Sequence, residues 1–221
     1  MQLDTNEQVE VVFVELPKFP KQLYYEGDRA LLQRRCITFV GTRSITAYGK
    51  WCIEYLLDDF LKDLGIVVVS GLARGIDAYV HEVCLKRGIK TIAIVPGGLD
   101  TAIPKCNMEI FNKIKERGLI LAEFPQGTAL RREMFVLRNR LLAGISEMTV
   151  VVEAGLGSGS LITAGLALEY NRDIYVIPGN INNKMSHGCN VLIKEGAGVI
   201  TCLDDFKEIL GIEDEQVLFR L

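Results

Sequence analysis

Five short apolar runs in this chain end in loops that carry a glycine, and each is followed by a stretch with helical spacing. Ile37-Thr38-Phe39-Val40 precedes Gly41, and Val67-Val68-Val69-Ser70 precedes Gly71. Ile92 to Val95 runs into Pro96-Gly97, Thr149 to Val152 runs towards Gly155, and Ile174 to Ile177 runs into Pro178-Gly179. Continuous β-branched runs of this length read as strands buried on both faces. Strands that alternate with helices form a parallel sheet with helices on both sides. The expectation is therefore an α/β chain with an extended Rossmann-like fold, a mostly parallel, doubly wound sheet. Its strand C-termini share one edge, and ligands bind there, where the strand order reverses.

The elements follow in order. Residues 9–16 read as a strand ended by Pro17 and Pro20, and 23–32 as a lead-in with a helical turn. A helix is expected over 48–64, stopped by Gly65, and another over 77–87, stopped by Gly88. Further helices are expected over 107–117, 133–146, 161–170, 190–195 and 204–210, with strands at 119–122 and 199–200. The organisation is a lead-in over 1–22, one domain over 23–211 and a short tail over 212–221. The expectation is of no N-terminal helical domain and no C-terminal winged helix.

Composition narrows the class. The 221 residues carry a net charge of −3, which argues against coating nucleic acid by bulk charge and leaves room for a local basic groove. Six cysteines are scattered without a C-x-x-C pair, and His81 and His187 are far apart, so no zinc set or disulfide framework is read. The polar start and the absence of a membrane-length apolar run lead to a cytoplasmic expectation with no membrane contact.

Candidate binding residues concentrate in the loops after the strands. Ser70-Gly71-Leu72-Ala73-Arg74-Gly75 joins a buried strand to a helix start at Asp77, an arrangement that suits an anion. Arg74 could fork onto a phosphate. Gly41 with Arg43, and Lys105 after Pro104, place cations on two more loops. Ser158-Gly159-Ser160 reads as a hydroxyl-capped helix start that could hold a phosphate or merely be capped. Arg138 and Arg140, near Arg131 and Arg132, read either as groove cations or as salt-bridge braces. Gly155-x-Gly157-x-Gly159 lacks the dinucleotide spacing. No catalytic constellation or cofactor site is read: His81 reads as packed, His187 as an exposed loop residue, Glu123 as a salt-bridge partner and Asp77 as a helix cap.

Many short motifs then occur together: Val40-Gly41-Thr42-Arg43; Ser70-Gly71-Leu72-Ala73-Arg74-Gly75-Ile76-Asp77-Ala78; Gly98-Leu99-Asp100; Glu123-Phe124-Pro125; Arg138-Asn139-Arg140; Val152-Glu153-Ala154; Ser158-Gly159-Ser160-Leu161-Ile162-Thr163-Ala164; and Ile177-Pro178-Gly179. In this order they resemble the DNA-processing protein A family (DprA/Smf) over residues 23–206. The resemblance implies a homodimer that binds and protects incoming single-stranded DNA and loads the RecA recombinase during natural transformation, with no enzymatic activity. By position, Arg43 and Lys105 resemble the family's phosphate-contacting residues, and Gly41, Gly71, Gly75, Ser158, Gly159 and Ser160 its groove loops. Two other readings stand beside it. One is a Rossmann-type sensor of a small nucleotide. The other is a nucleotide-processing enzyme related to phosphoribohydrolases, whose loop also begins Pro-Gly-Gly, as Pro96-Gly97-Gly98 does here.

Overall fold

The computed structural model describes residues 8–10, 20, 22–100 and 104–212. Seven strands form the parallel body of one sheet: β3 (Cys36–Val40), β4 (Val67–Ser70), β5 (Thr91–Val95), β6 (Leu119–Ala122), β7 (Met148–Val151), β8 (Asp173–Val176) and β9 (Gly198–Val199). Two more, β1 (Gln8–Glu10) and β2 (Gln22–Gly27), extend it antiparallel beyond β6. The order is β1-β2-β6-β5-β4-β3-β7-β8-β9. The mostly parallel, doubly wound sheet expected from the apolar runs is thus present, with an antiparallel extension at one edge.

Burial explains the runs. All residues of β3, β4, β5, β6 and β7 are buried, because helices cover both faces. On one face lie α1 (Ala47–Leu56), α2 (Asp59–Asp63), α3 (Ile76–Arg87), α4 (Met108–Arg117) and α8 (Leu203–Ile209). There Ile37, Phe39, Val68 and Val150 meet Ile53, Leu61, Val80 and Phe206, and Ala93, Val95 and Ile120 meet Ile110 and Ile114. On the other face lie α5 (Arg132–Ile145), α6 (Gly159–Glu169) and α7 (His187–Lys194). There Val40, Val69, Ile94 and Val151 meet Leu141, Leu142 and Ala164. Alternate residues of one strand thus feed opposite cores.

Three boundaries differ from expectation. The single helix expected over 48–64 is two helices, broken at Leu57, with Asp58 as the N-cap of α2. Aspartate competes poorly inside a helix and well at a cap, so Asp58 begins a new helix rather than continuing the old one. The helix expected over 190–195 starts earlier, at His187. Of the strand expected over 9–16, positions 8–10 are seen as strand, and 11–16 lie outside the described residues, as does the tail after 212. Gly88 ends α3 as read, with φ +72° and its N–H on Cys84 O.

The topology locates the site. From β3 the chain builds outward through β4, β5 and β6, then returns to lay β7 on the other side of β3. The order therefore reverses between β3 and β7, and the crevice above their carboxyl ends is where such sheets bind ligands.

Candidate nucleic-acid interface

A cleft of about 630 Å³ opens at that switch point. One wall is the β3–α1 loop, with Gly41, Thr42 and Arg43. The facing wall is the β7–α6 loop, from Gly155 to Ser160. The third is the first half of α5, with Arg132, Phe135, Val136, Arg138 and Asn139. Apolar side chains from Leu142, Leu156 and Ile162 share the lining with these polar groups.

The β7–α6 wall leaves its backbone open to the cleft. Ser158 caps α6, its Oγ accepting weakly from Ser160 N–H at 3.4 Å and lying 2.7 Å from Ser160 Oγ. Two of the wall's glycines face open space: nothing lies within 4 Å of where a Cβ would stand at Gly157 or Gly159. A ligand can therefore approach the backbone at the start of an eleven-residue helix, whose first N–H groups and dipole favour negative charge.

The glycines of the other loops do a different job. A Cβ on Gly41 would stand 2.5 Å from Ile76 and 2.9 Å from Glu153 O. One on Gly71 would overlap the Arg138 guanidinium, and one on Gly75 would overlap Thr42 O. These three let loops of the protein pack against each other, rather than a ligand against a loop. The start of α3, read from sequence as an anion site, is likewise satisfied from within. Ile76 N–H donates to Thr42 O at 3.1 Å, and Ala73 N–H to the Asp77 carboxylate at 3.4 Å. Asp77 is not the cap of α3; Gly75 holds that place, and Asp77 lies buried in the first turn. Burial raises the pKa of its carboxyl, and the Arg138 guanidinium offsets part of that shift.

The cations divide similarly. Arg43 is exposed at the cleft mouth, its guanidinium carbon 5.8 Å above the Phe135 ring. Arg132 is exposed at the first turn of α5. A cation at a helix N-terminus opposes the dipole, so the charge of Arg132 adds nothing to the stability of α5. Arg138 reaches the cleft lining but is 6% exposed, and its Nη1 donates to Gly71 O at 2.6 Å and Ile94 O at 2.9 Å. It braces the floor. Arg140, on the same helix, is absent from the lining and is ion-paired with Glu123. Ser70 is buried, its hydroxyl donating to Phe39 O at 2.7 Å.

Arg74 and Lys105 lie outside the cleft and are exposed. They stand after β4 and β5, as Arg43 stands after β3, so three neighbouring strands each carry an exposed cation beyond their carboxyl ends. Asn107 Nδ2 donates to Leu72 O at 2.9 Å and ties the Lys105 turn to the loop that carries Arg74. The site therefore has a cleft and a row of cations leading away from it. Of the residues named from sequence, Gly41, Arg43, Arg138, Ser158, Gly159 and Ser160 meet at the cleft; Arg74 and Lys105 belong to the row; Ser70, Gly71, Gly75 and Arg140 pack within the protein. Arg132, read from sequence as part of the basic cluster around Arg138 and Arg140, and Phe135, an aromatic the sequence offers for base stacking, both line the cleft, whereas sequence reading gave Glu153 no role in the site. The signal for Glu153 was a carboxylate placed directly after an apolar run, Val150-Val151-Val152, where a charge must find partners.

The remaining functional groups are structural. His81 is fully buried with Nδ1 2.8 Å from Thr91 Oγ1. His187, expected on an exposed loop, is half-buried at the start of α7. No cluster of metal-ligating side chains occurs among the described residues, and no helix among them is long and apolar enough to cross a membrane.

Fold and site together define a doubly wound α/β protein with an open cleft at the strand-order switch and exposed cations along the same edge. The model of the DNA recombination-mediator protein A family matches residues 6–211, and the chain belongs to that family. The resemblance read from its motifs is thereby borne out. The Smf protein of Synechocystis is 40% identical over 201 residues, which is 89% of this chain and 50% of that one. The X-ray structure of DNA processing protein A from Streptococcus pneumoniae superposes with a TM-score of 0.84 at 34% identity, covering 96% of this chain and 75% of that one. DNA processing protein A from Helicobacter pylori, whose structure is described as giving insight into a unique single-stranded DNA binding mode, superposes with a TM-score of 0.83 at 31% identity, covering 93% and 96%. This chain spans about half the length of the Synechocystis relative.

Proposed function

We propose that this chain binds single-stranded DNA in the switch-point cleft and along the cation row. The observation that carries the reading is the pairing of an open α6 N-terminus with Arg43 and Arg132 across one cleft that also has an apolar lining. The α6 start takes a phosphate, Arg43 and Arg132 neutralise its neighbours, and the apolar lining with Phe135 takes unpaired bases. A strand leaving the cleft past Arg43 meets Arg74 and then Lys105, on loops of adjacent strands spaced about 4.8 Å apart. A duplex hides its bases and cannot use the apolar lining. The function is binding, with no bond made or broken. The family's naming as recombination mediators supports the further reading that the protein, as a cytoplasmic homodimer, protects incoming strands and delivers them to the RecA recombinase in transformation or recombination.

The test is fluorescence anisotropy with a labelled strand of about 30 nucleotides, long enough to span a few typical sites, across a salt series. Wild-type protein binds at low salt, and Arg43→Ala with Lys105→Ala binds far more weakly. Absence of binding at low salt, with a mononucleotide raising the melting temperature instead, would move the cleft to a nucleotide sensor. Delivery to RecA is read separately, as faster onset of strand-dependent RecA ATPase when this protein is added.

A further inference from the structure

We propose that Glu153 is a positioning residue for this cleft: it holds the loop bearing Arg43 in register with the β7–α6 wall. The proposal rests on the single-strand reading of the cleft. Glu153 follows β7 and is 1% exposed. Its backbone carbonyl accepts Thr42 N–H at 2.7 Å. Its carboxylate accepts Thr46 N–H at 3.0 Å through Oε2 and the Thr46 hydroxyl at 2.6 Å through Oε1. One residue thus grips the chain on both sides of Arg43. Thr46 Oγ1 in turn accepts Gly49 N–H at 3.2 Å and caps α1, so the clamp also sets where that helix starts. Gly49 has no side chain because a Cβ there would overlap the Glu153 carboxylate. Two residues after Glu153 the chain enters the open 155–160 loop.

The clamp explains an asymmetry. The backbone around Arg43 is fixed, by Glu153 at Thr42 and Thr46 and by Gly75 packed against Thr42 O, while its side chain is exposed and can reach a phosphate. A carboxylate is the fitting group because both its oxygens meet donors. A glutamine would turn an NH₂ towards one of them. Glu153 is too deep to touch a strand, so its effect on binding runs through Arg43.

The test compares Glu153→Gln, Thr46→Val and Thr46→Ser, alone and with Arg43→Ala, by anisotropy on the same strand and by hydrogen exchange of amides 42–46. Glu153→Gln and Thr46→Val are expected to weaken binding about tenfold, roughly one charge-assisted contact, and Thr46→Ser to retain it. In the Arg43→Ala background Glu153→Gln is expected to add no further loss, and amides 42–46 exchange faster in Glu153→Gln. Additive losses, or unchanged protection of 42–46, would overturn the proposal. If wild type binds no strand, the single-strand reading fails, while exchange at 42–46 still decides whether Glu153 holds the loop. Should Glu153→Gln not fold, Thr46→Val carries the same comparison.

Discussion

Arg43 and Arg138 are the same residue type lining the same cleft, and burial gives them opposite tasks. Arg138 has surrendered its hydration and is held by Gly71 O, Ile94 O and the nearby Asp77 charge. Removing it leaves the buried Gly71 O and Ile94 O without this donor, which costs about 1–3 kcal/mol for each. Arg138→Ala is therefore expected to lower the denaturation midpoint sharply, whereas Arg43→Ala leaves it unchanged and lowers strand affinity; urea titrations beside anisotropy separate the two. His81 makes a prediction of its own. The buried ring has Nδ1 2.8 Å from Thr91 Oγ1, and the Thr91 hydroxyl donates to Val68 O at 2.8 Å. Burial, with the Arg138 charge nearby, pushes the His81 pKa from 6.5 down to about 3. The unfolded chain then binds a proton between those values that the folded chain refuses. Its contribution is complete above pH 6.5 and is lost as pH falls towards 3. Replacing His81 by Gln should make the fall of stability across that window shallower by up to about 1.4 kcal/mol per pH unit. An unchanged slope in urea titrations from pH 6.5 to pH 4 would count against it.

At the scale of loops and helices, the glycines sort into two classes that sequence alone left together. Gly71 follows a strand in a small-residue turn, and Gly159 opens the helix after another such turn. At Gly71 an added methyl must displace the buried Arg138 guanidinium; at Gly159 it meets nothing. Gly71→Ala is expected to destabilise the fold by about 1–3 kcal/mol, as overpacking does. Gly159→Ala should leave stability unchanged or slightly raised, since alanine suits a helix better than glycine. It should nonetheless weaken strand binding about tenfold by crowding the backbone that a phosphate must approach. Melting curves beside anisotropy read both outcomes. The contrast marks the limit of what the chain discloses. Strand–helix alternation and the shared edge were legible because they depend on local apolar runs and glycine stops. The α1–α2 break was written in Asp58 but was hidden by the continuing apolar pattern through Phe60 and Leu61. The partners of Arg138, Arg140 and Glu153 are contributed by loops and strands brought together by the order β6-β5-β4-β3-β7, which local pattern does not encode. The motifs therefore marked which loops matter, and not which side chains face out of them.

For the whole molecule, the proposed strand binding has to be reconciled with a net charge of −3. The sheet does this by geometry. Parallel strands bring their carboxyl ends to one edge, so cations far apart in sequence, Arg43, Arg74, Lys105 and Arg132, gather beyond neighbouring strands and at one helix start. The α6 N-terminus adds partial positive charge without a side chain. The acidic remainder of the surface then repels a strand bound elsewhere, which favours one track over diffuse coating. This makes salt dependence the measurement with the most content. Binding that engages about three or four phosphates releases as many counterions, and the slope of log K against log salt for a single strand is about −0.7 per phosphate. The expected slope is thus about −2 to −3, well short of that of a protein that coats DNA by bulk charge. Arg43→Ala and Lys105→Ala should each make it shallower by about 0.7, and Arg140→Ala, whose guanidinium is committed to Glu123, should leave it unchanged. A slope that stays the same in Arg43→Ala and falls in Arg140→Ala would place the track on the opposite side of α5 from the cleft.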